Sequence, residues 1–152
     1  MLYLELFFQG IVQGSIYALI ALGLTLVYGL LRILHVAHAA LFTLGGYLGV
    51  IVTNATGSFL LATAVAMIVV GFVGIAVYKL AYEPLLSKPP FISLIASIAL
   101  FIASEEIFRI IFGPYGLSYT NPPMQGYFEL FGGFFLKYGE ALVIVLSVVM
   151  LV

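Results

Sequence analysis

Charged residues vanish from this chain for long stretches, and the longest runs 46 residues, Ile33 to Tyr78, without a Lys, Arg, Asp or Glu. A turn-like hexapeptide, Thr53-Asn-Ala-Thr-Gly-Ser58, interrupts that run near its middle and leaves 33–52 and 59–78, 20 residues on each side. A hydrocarbon core about 30 Å thick takes roughly 20 helical residues to cross. The pattern therefore predicts a membrane helical hairpin. A further uncharged stretch within Leu6–Leu31, ended by Arg32, predicts a span before it. Another, Phe91–Phe112, is closed by Gly113-Pro114, a strong helix stop.

Between the third and fourth spans, Lys79 to Pro90 carries Lys79, Glu83, Lys88 and three prolines and is expected to be a loop. From Gly113 to Lys137 the chain is aromatic and punctuated by Gly and Pro, with Tyr115, Tyr119, Tyr127, Phe128, Phe131, Phe134 and Phe135. Its poor periodicity predicts a surface loop. Ala141–Val152 is apolar again, but 12 residues give only about 18 Å of helix, so a truncated fifth span is expected there. The expected architecture is an all-α, polytopic membrane helical bundle. It forms a single transmembrane domain over 1–152, with complete spans at about 8–31, 33–52, 59–78 and 91–112 and a partial one at 138–152. The chain is expected to be the N-terminal fragment of a longer protein or a truncated gene product.

Composition agrees: 64% of residues are hydrophobic and 7% charged, against about 45–50% and about 25% in soluble domains. A net charge of −1 gives no basic patch, which argues against nucleic-acid binding. There is no Cys to report on redox compartment, and the 10 Tyr replace the absent Trp as interfacial rings. The first ten residues lack the basic region of a signal peptide, so the first span is expected to be retained. Arg32, Lys79 and Lys88 fall after spans one and three, against Arg109 and Lys137 on the other side. The positive-inside rule then puts the N-terminus outside. Asn54-Ala-Thr56 matches a glycosylation acceptor but lies too close to the bilayer to serve as one.

The first span carries small residues at Gly10, Gly14, Ala18, Ala21 and Thr25, one helix face suited to close packing against another helix. Gln9, Gln13 and Tyr17 line the adjoining face. Bare amides are costly in hydrocarbon, so they line a vestibule or make buried interhelical hydrogen bonds. His35 and His38 open the second span. The ligand set around them is too sparse for a metal site, so orienting the helix start is the simpler role. Gly45-Gly46 lies near the bilayer midplane, where paired glycines either break the helix, as at transporter binding sites, or let a neighbour approach. Glu105 and Arg109 have the favourable i, i+4 order for an ion pair. The substrate-path candidates are Gln13, Tyr17, His38, Gly45 and Gly46. No catalytic constellation, phosphate-binding loop or Asp occurs, so no cofactor or metal is expected and any ATP hydrolysis belongs to another subunit.

Taken together, Gly10-x-x-x-Gly14-Ser-x-Tyr17-Ala-Leu-Ile-Ala21-x-Gly23-x-Thr25-x-x-Tyr28-Gly29, Ala37-His38, Gly45-x-Tyr47, Ala81-Tyr82-x-Pro84-Leu85, the segment from Leu94 to Leu100, and Phe112-Gly-Pro114 closely resemble the permease subunits of branched-chain amino acid ABC transporters. The likeness runs in order over about residues 8 to 115. There are departures: His35 stands where that family usually has Asn, Ala39 where it has Gly, Ala40 where Glu is common, and Glu83 where Arg precedes the proline. Roles tied to those residues do not carry over. The resemblance implies an inner (plasma) membrane importer of about eight spans, moving a small-molecule solute by alternating access. The implied partners are a second permease subunit, ATPase subunits and an extracytoplasmic solute-binding protein. The alternatives are a permease for urea, short amides or a sugar, and a non-transporting membrane scaffold.

Overall fold

The computed structural model describes residues 2–130 and 134–151. Five helices carry most of the chain: α1 Leu2–Leu31, α2 His38–Thr56, α3 Phe59–Val77, α4 Pro90–Phe112 and α5 Tyr138–Leu151. Four of these are long and apolar enough to cross a membrane, the third when counted through Leu85, and α5 is a shorter apolar helix. The protein is thus an all-α, multi-pass membrane chain, as its charge pattern predicts. The described residues fall into two compact units, one of 26–123 and a second made of 2–25 with 124–130 and 134–151.

In the 26–123 unit, α1 ends where Arg32 turns into the left-handed region (φ 53°) and its N–H bonds the Tyr28 carbonyl at 2.8 Å. The following residues alternate: Ile33, His35 and Ala37 are buried while Leu34 and Val36 are exposed. The second span was expected from Ile33, but the helix starts only at His38, because this alternating segment is pinned by side chains from elsewhere. At its far end α2 continues through Thr56, into the hexapeptide expected to be a turn. Only Gly57 and Ser58 separate α2 from α3. Gly57 adopts φ 69° and donates its N–H to the Thr53 carbonyl at 2.8 Å, the left-handed helix stop that glycine makes without strain. The Ser58 hydroxyl then accepts from Leu61 N–H at 3.4 Å and caps α3. The two helices lie close because glycines face side chains across the seam. A methyl built on Gly45 would meet Val70 at 3.7 Å, and one on Gly74 would meet Leu41 at 3.8 Å. Ala62, near the start of α3, is fully buried.

The segment expected to be a loop after α3 instead winds on as a wide π turn, Tyr78–Tyr82, and a tight 3-10 turn, Glu83–Leu85. Pro84 sits near the start of a short helix, where its missing N–H costs nothing. Pro90 likewise opens α4, with Ser93 and Ser97 buried. Gly113, at φ 81°, closes α4 with its N–H on the Arg109 carbonyl at 3.0 Å.

The other unit contains the main departure from expectation. The stretch predicted to be a loop forms an antiparallel pair, β1 Tyr127–Leu130 and β2 Phe134–Lys137, in register Tyr127↔Lys137 to Leu130↔Phe134. The rings of Tyr127 and Phe135 meet edge to face across it at 4.7 Å. Phe131, part of the same aromatic series, lies outside the described residues. Gly126, at φ 144°, lets the backbone pass against the Tyr138 ring, where any side chain would collide. Lys137 N–H caps on the Glu140 carboxylate at 3.2 Å as α5 begins.

Candidate functional site: a glycine-floored groove between α2 and α3

One face of the α2–α3 hairpin is an open groove of about 640 Å³. Its floor is glycine, Gly45, Gly46 and Gly49 on α2, and its opposite wall is Thr63, Met67 and Val70 on α3. Bare backbone on one side makes the groove wide without breaking either helix. The Thr63 hydroxyl donates its proton back to the Phe59 carbonyl at 2.9 Å and so has no donor left for the groove. The middle of the groove is therefore apolar. Polar groups stand at its ends: His38 at one and Tyr119 at the other. His38 and Gly49 are 11 residues apart, about 16 Å along the helix.

Three of the expected substrate-path residues, His38, Gly45 and Gly46, share this groove. No break occurs at Gly45-Gly46, because α2 is continuous through both. The two glycines have different surroundings: Gly45 is in contact range of Val70, while Gly46 has open space above it. Gln13 and Tyr17 lie on the part of α1 that belongs to the other unit, and both are exposed. On the same helix the small-residue stripe is uncovered at Gly10, Gly14, Ala21 and Thr25, with Ala18 half-buried, and nothing lies within 4 Å of a side chain built on Gly10 or Gly14. Thr25 bonds its own helix, on the Ala21 carbonyl at 2.7 Å. The Arg109 ion pair also differs from expectation: Arg109 pairs with Glu106 at 3.2 Å, one turn back, instead of Glu105.

Below the His38 end lies a buried polar node that anchors the groove. Nδ1 of His35 and the Tyr82 hydroxyl are hydrogen-bonded at 2.6 Å, with the rings nearly perpendicular and 5.1 Å apart. The Ser97 hydroxyl accepts from Ala37 N–H at 3.0 Å and also interacts with the Tyr82 phenol. Residues 35–37 are thus tied to the π turn after α3 and to α4 at once, which fixes where α2 begins. Burial, and to a lesser degree the neighbouring His38, hold His35 below the ordinary histidine range, so it is neutral at pH 7. His35 and His38, with ring centres 6.2 Å apart, belong to this helix-start structure. Among the described residues no group of three or more His, Cys, Asp or Glu is placed to hold a metal.

Sequence reasoning missed Ser97 and the role of Tyr82. The signal for Ser97 was present: Ser93 and Ser97 are four apart in the otherwise apolar first half of α4, and both are buried. It also missed Asn54, whose carboxamide donates to the Ser118 carbonyl at 3.1 Å and accepts from Thr120 N–H at 2.9 Å. Those bonds fasten the segment after α4 to the end of α2, next to Tyr119.

Residues 6–152 match the family described as branched-chain amino acid transport system, permease component. Among similar proteins, the high-affinity branched-chain amino acid transport system permease protein LivH of Escherichia coli K12 is 31% identical over 109 residues. That alignment covers 66% of this chain and 35% of LivH. The corresponding protein BraD of Pseudomonas aeruginosa is 32% identical over 109 residues, 66% of this chain and 36% of BraD. LivH of Salmonella typhimurium is 29% identical over the same length. The chain spans about a third of the length of the curated relatives it matches. No solved structure matches it. With spanning helices, a continuous hairpin groove and a family match over nearly its whole length, the chain belongs to the permease component family of branched-chain amino acid transport systems.

Proposed function

We propose that this chain contributes to the membrane pathway of an ATP-driven importer in a cell's inner membrane, and that the solute is a branched-chain amino acid. The observation that carries the reading is the family match over 6–152, which includes both helices of the groove. The groove's chemistry is compatible with that solute class. Its middle is apolar, as aliphatic side chains require, and its polar groups stand only at the ends, where an ammonium or carboxylate could be met. The chain contains no phosphate-binding loop, so the energy is supplied by separate ATPase subunits.

In this reading the chain works with a second permease subunit, ATPase subunits and an extracytoplasmic solute-binding protein. ATP binding and hydrolysis alternate the two permease halves, and the groove is exposed to one side and then the other. The exposed stripe at Gly10 and Gly14 receives a neighbouring helix of the assembled permease. The N-terminus and the Gly57-Ser58 turn face outward, and the turns between Tyr78 and Leu85 face the cytoplasm, in keeping with the Lys and Arg distribution.

Uptake into proteoliposomes tests the function. The full-length permease, reconstituted with its partner subunits and binding protein, is expected to accumulate leucine, isoleucine or valine only when ATP is present. Replacing the phosphate-loop Lys of the ATPase should abolish that accumulation. Uptake driven by a proton or sodium gradient in the absence of the ATPase would reject the ATP-driven reading, and His38 and Glu105 would then become the first residues to test as a proton path.

A further inference from the structure

We propose that the segment 113–123 is a gate at the Asn54 end of the α2–α3 groove, with Tyr119 the gating side chain and Asn54 its latch. The inference rests on the groove being part of the solute pathway. Its geometry is specific. Asn54 uses both halves of its carboxamide, donating to the carbonyl of Ser118 and accepting from the N–H of Thr120. The two bonds flank a single residue, Tyr119, and so fix the backbone on either side of it. That residue's hydroxyl lies 3.8 Å from where a side chain on Gly49 would begin, and its ring is part of the groove wall.

The root of the segment is held in a different way. Tyr47 stacks on Phe112 with ring centres 4.1 Å apart and planes 19° apart, and its hydroxyl lies 3.8 Å from the side-chain position of Gly116. Gly113 and Gly116 both have positive φ, 81° and 70°, so the strand of chain leaving α4 turns back over α2 at two glycines. A segment hinged at glycines and closed by two exposed hydrogen bonds on one side chain can open at modest cost. A tyrosine at its tip places a phenol and a bulky ring at one mouth of a groove that is otherwise apolar until His38.

Single-cysteine labelling in the full-length permease, assembled with its partner subunits in nanodiscs, tests this; the 152 residues contain no native Cys to interfere. A cysteine replacing Gly49 sits under Tyr119, and one replacing the exposed Ala55 is the control. Asn54→Ala is expected to raise the maleimide labelling rate at position 49 about tenfold, the scale of losing two ordinary hydrogen bonds. Tyr119→Ala should do the same without touching α2, which keeps the test valid if Asn54→Ala folds poorly. Tyr119→Phe should leave labelling slow. Leucine uptake should fall several-fold in both alanine variants. Unchanged labelling at position 49, or an equal rise at position 55, overturns the latch. Faster labelling with unaltered uptake overturns the gating role and leaves the pathway reading standing. A parent protein that takes up no amino acid, yet shows the labelling contrast, overturns the pathway reading and the gate with it.

Discussion

The hydrogen bond between His35 and Tyr82 joins residues 47 apart in sequence, and its burial makes it sensitive to a single proton. Burial and, to a lesser degree, the neighbouring His38 both oppose the His35 cation. Its folded-state pKa is therefore below the unfolded value of about 6.5. Above that value both states are neutral and its contribution to stability is complete. As pH falls below it, the unfolded chain takes up the proton more readily, and stability falls. Thermal unfolding in detergent is expected to show a midpoint that drops on acidification, and His35→Gln should flatten the drop. A midpoint that rises on acidification would contradict the assignment. Tyr82→Phe at pH 7 should cost about 1–3 kcal/mol, the scale of leaving a buried polar atom unpaired. Neither Tyr82 nor Ser97 stood out in the sequence as a partner of His35. A hydroxyl on an apolar helix carries no mark of which distant residue it will meet, and only the four-residue spacing of Ser93 and Ser97 hinted at a buried face.

Helices, by contrast, were plainly written along the chain, since a run without charge long enough to cross a bilayer has few other ways to satisfy its backbone. The ends of α1 at Leu31 and α4 at Phe112 follow from Arg32 and from Gly113-Pro114, whereas Lys79 does not stop the third span, which winds on through Leu85. What was not legible was local backbone choice. Thr53-Asn-Ala-Thr looks like a turn by composition, yet α2 runs on through it, because Gly57 alone supplies the reversal. The aromatic stretch before α5 has no clean alternation, and the pairing of Tyr127 with Lys137 through Leu130 with Phe134 depends on cross-strand contacts that one strand cannot announce. Gly45-Gly46 could have broken α2; the chain uses it instead to bring α3 close at one glycine and leave space at the other. The hairpin itself gives a direct test of orientation. Cysteines at Ala55 and Ser87, both exposed, are expected to react with an impermeant thiol reagent from opposite sides of the membrane, Ala55 from outside. Reaction of both from one side would be incompatible with a spanning α3.

At the scale of the whole molecule, α2 and α3 enclose a groove in which His38, Gly45 and Gly46 meet, and one end is anchored by a buried polar node while the other is covered by a latched segment. The candidate site was half legible: His38, Gly45 and Gly46 were named from spacing and composition, whereas Gln13 and Tyr17 belong to a different unit and Asn54 and Tyr119 are joined only by the fold. The central claim is that solute moves along this groove, and Gly46, open above its backbone, is the place to probe it. The measurement is ATP-dependent leucine uptake by the full-length assembly carrying a cysteine in place of Gly46, before and after alkylation with a bulky maleimide. The account predicts that alkylation stops uptake and that excess leucine slows the alkylation, while the same treatment of a cysteine at Ile75, exposed on α3 outside the groove lining, does neither. Full uptake after complete alkylation at position 46 would contradict it.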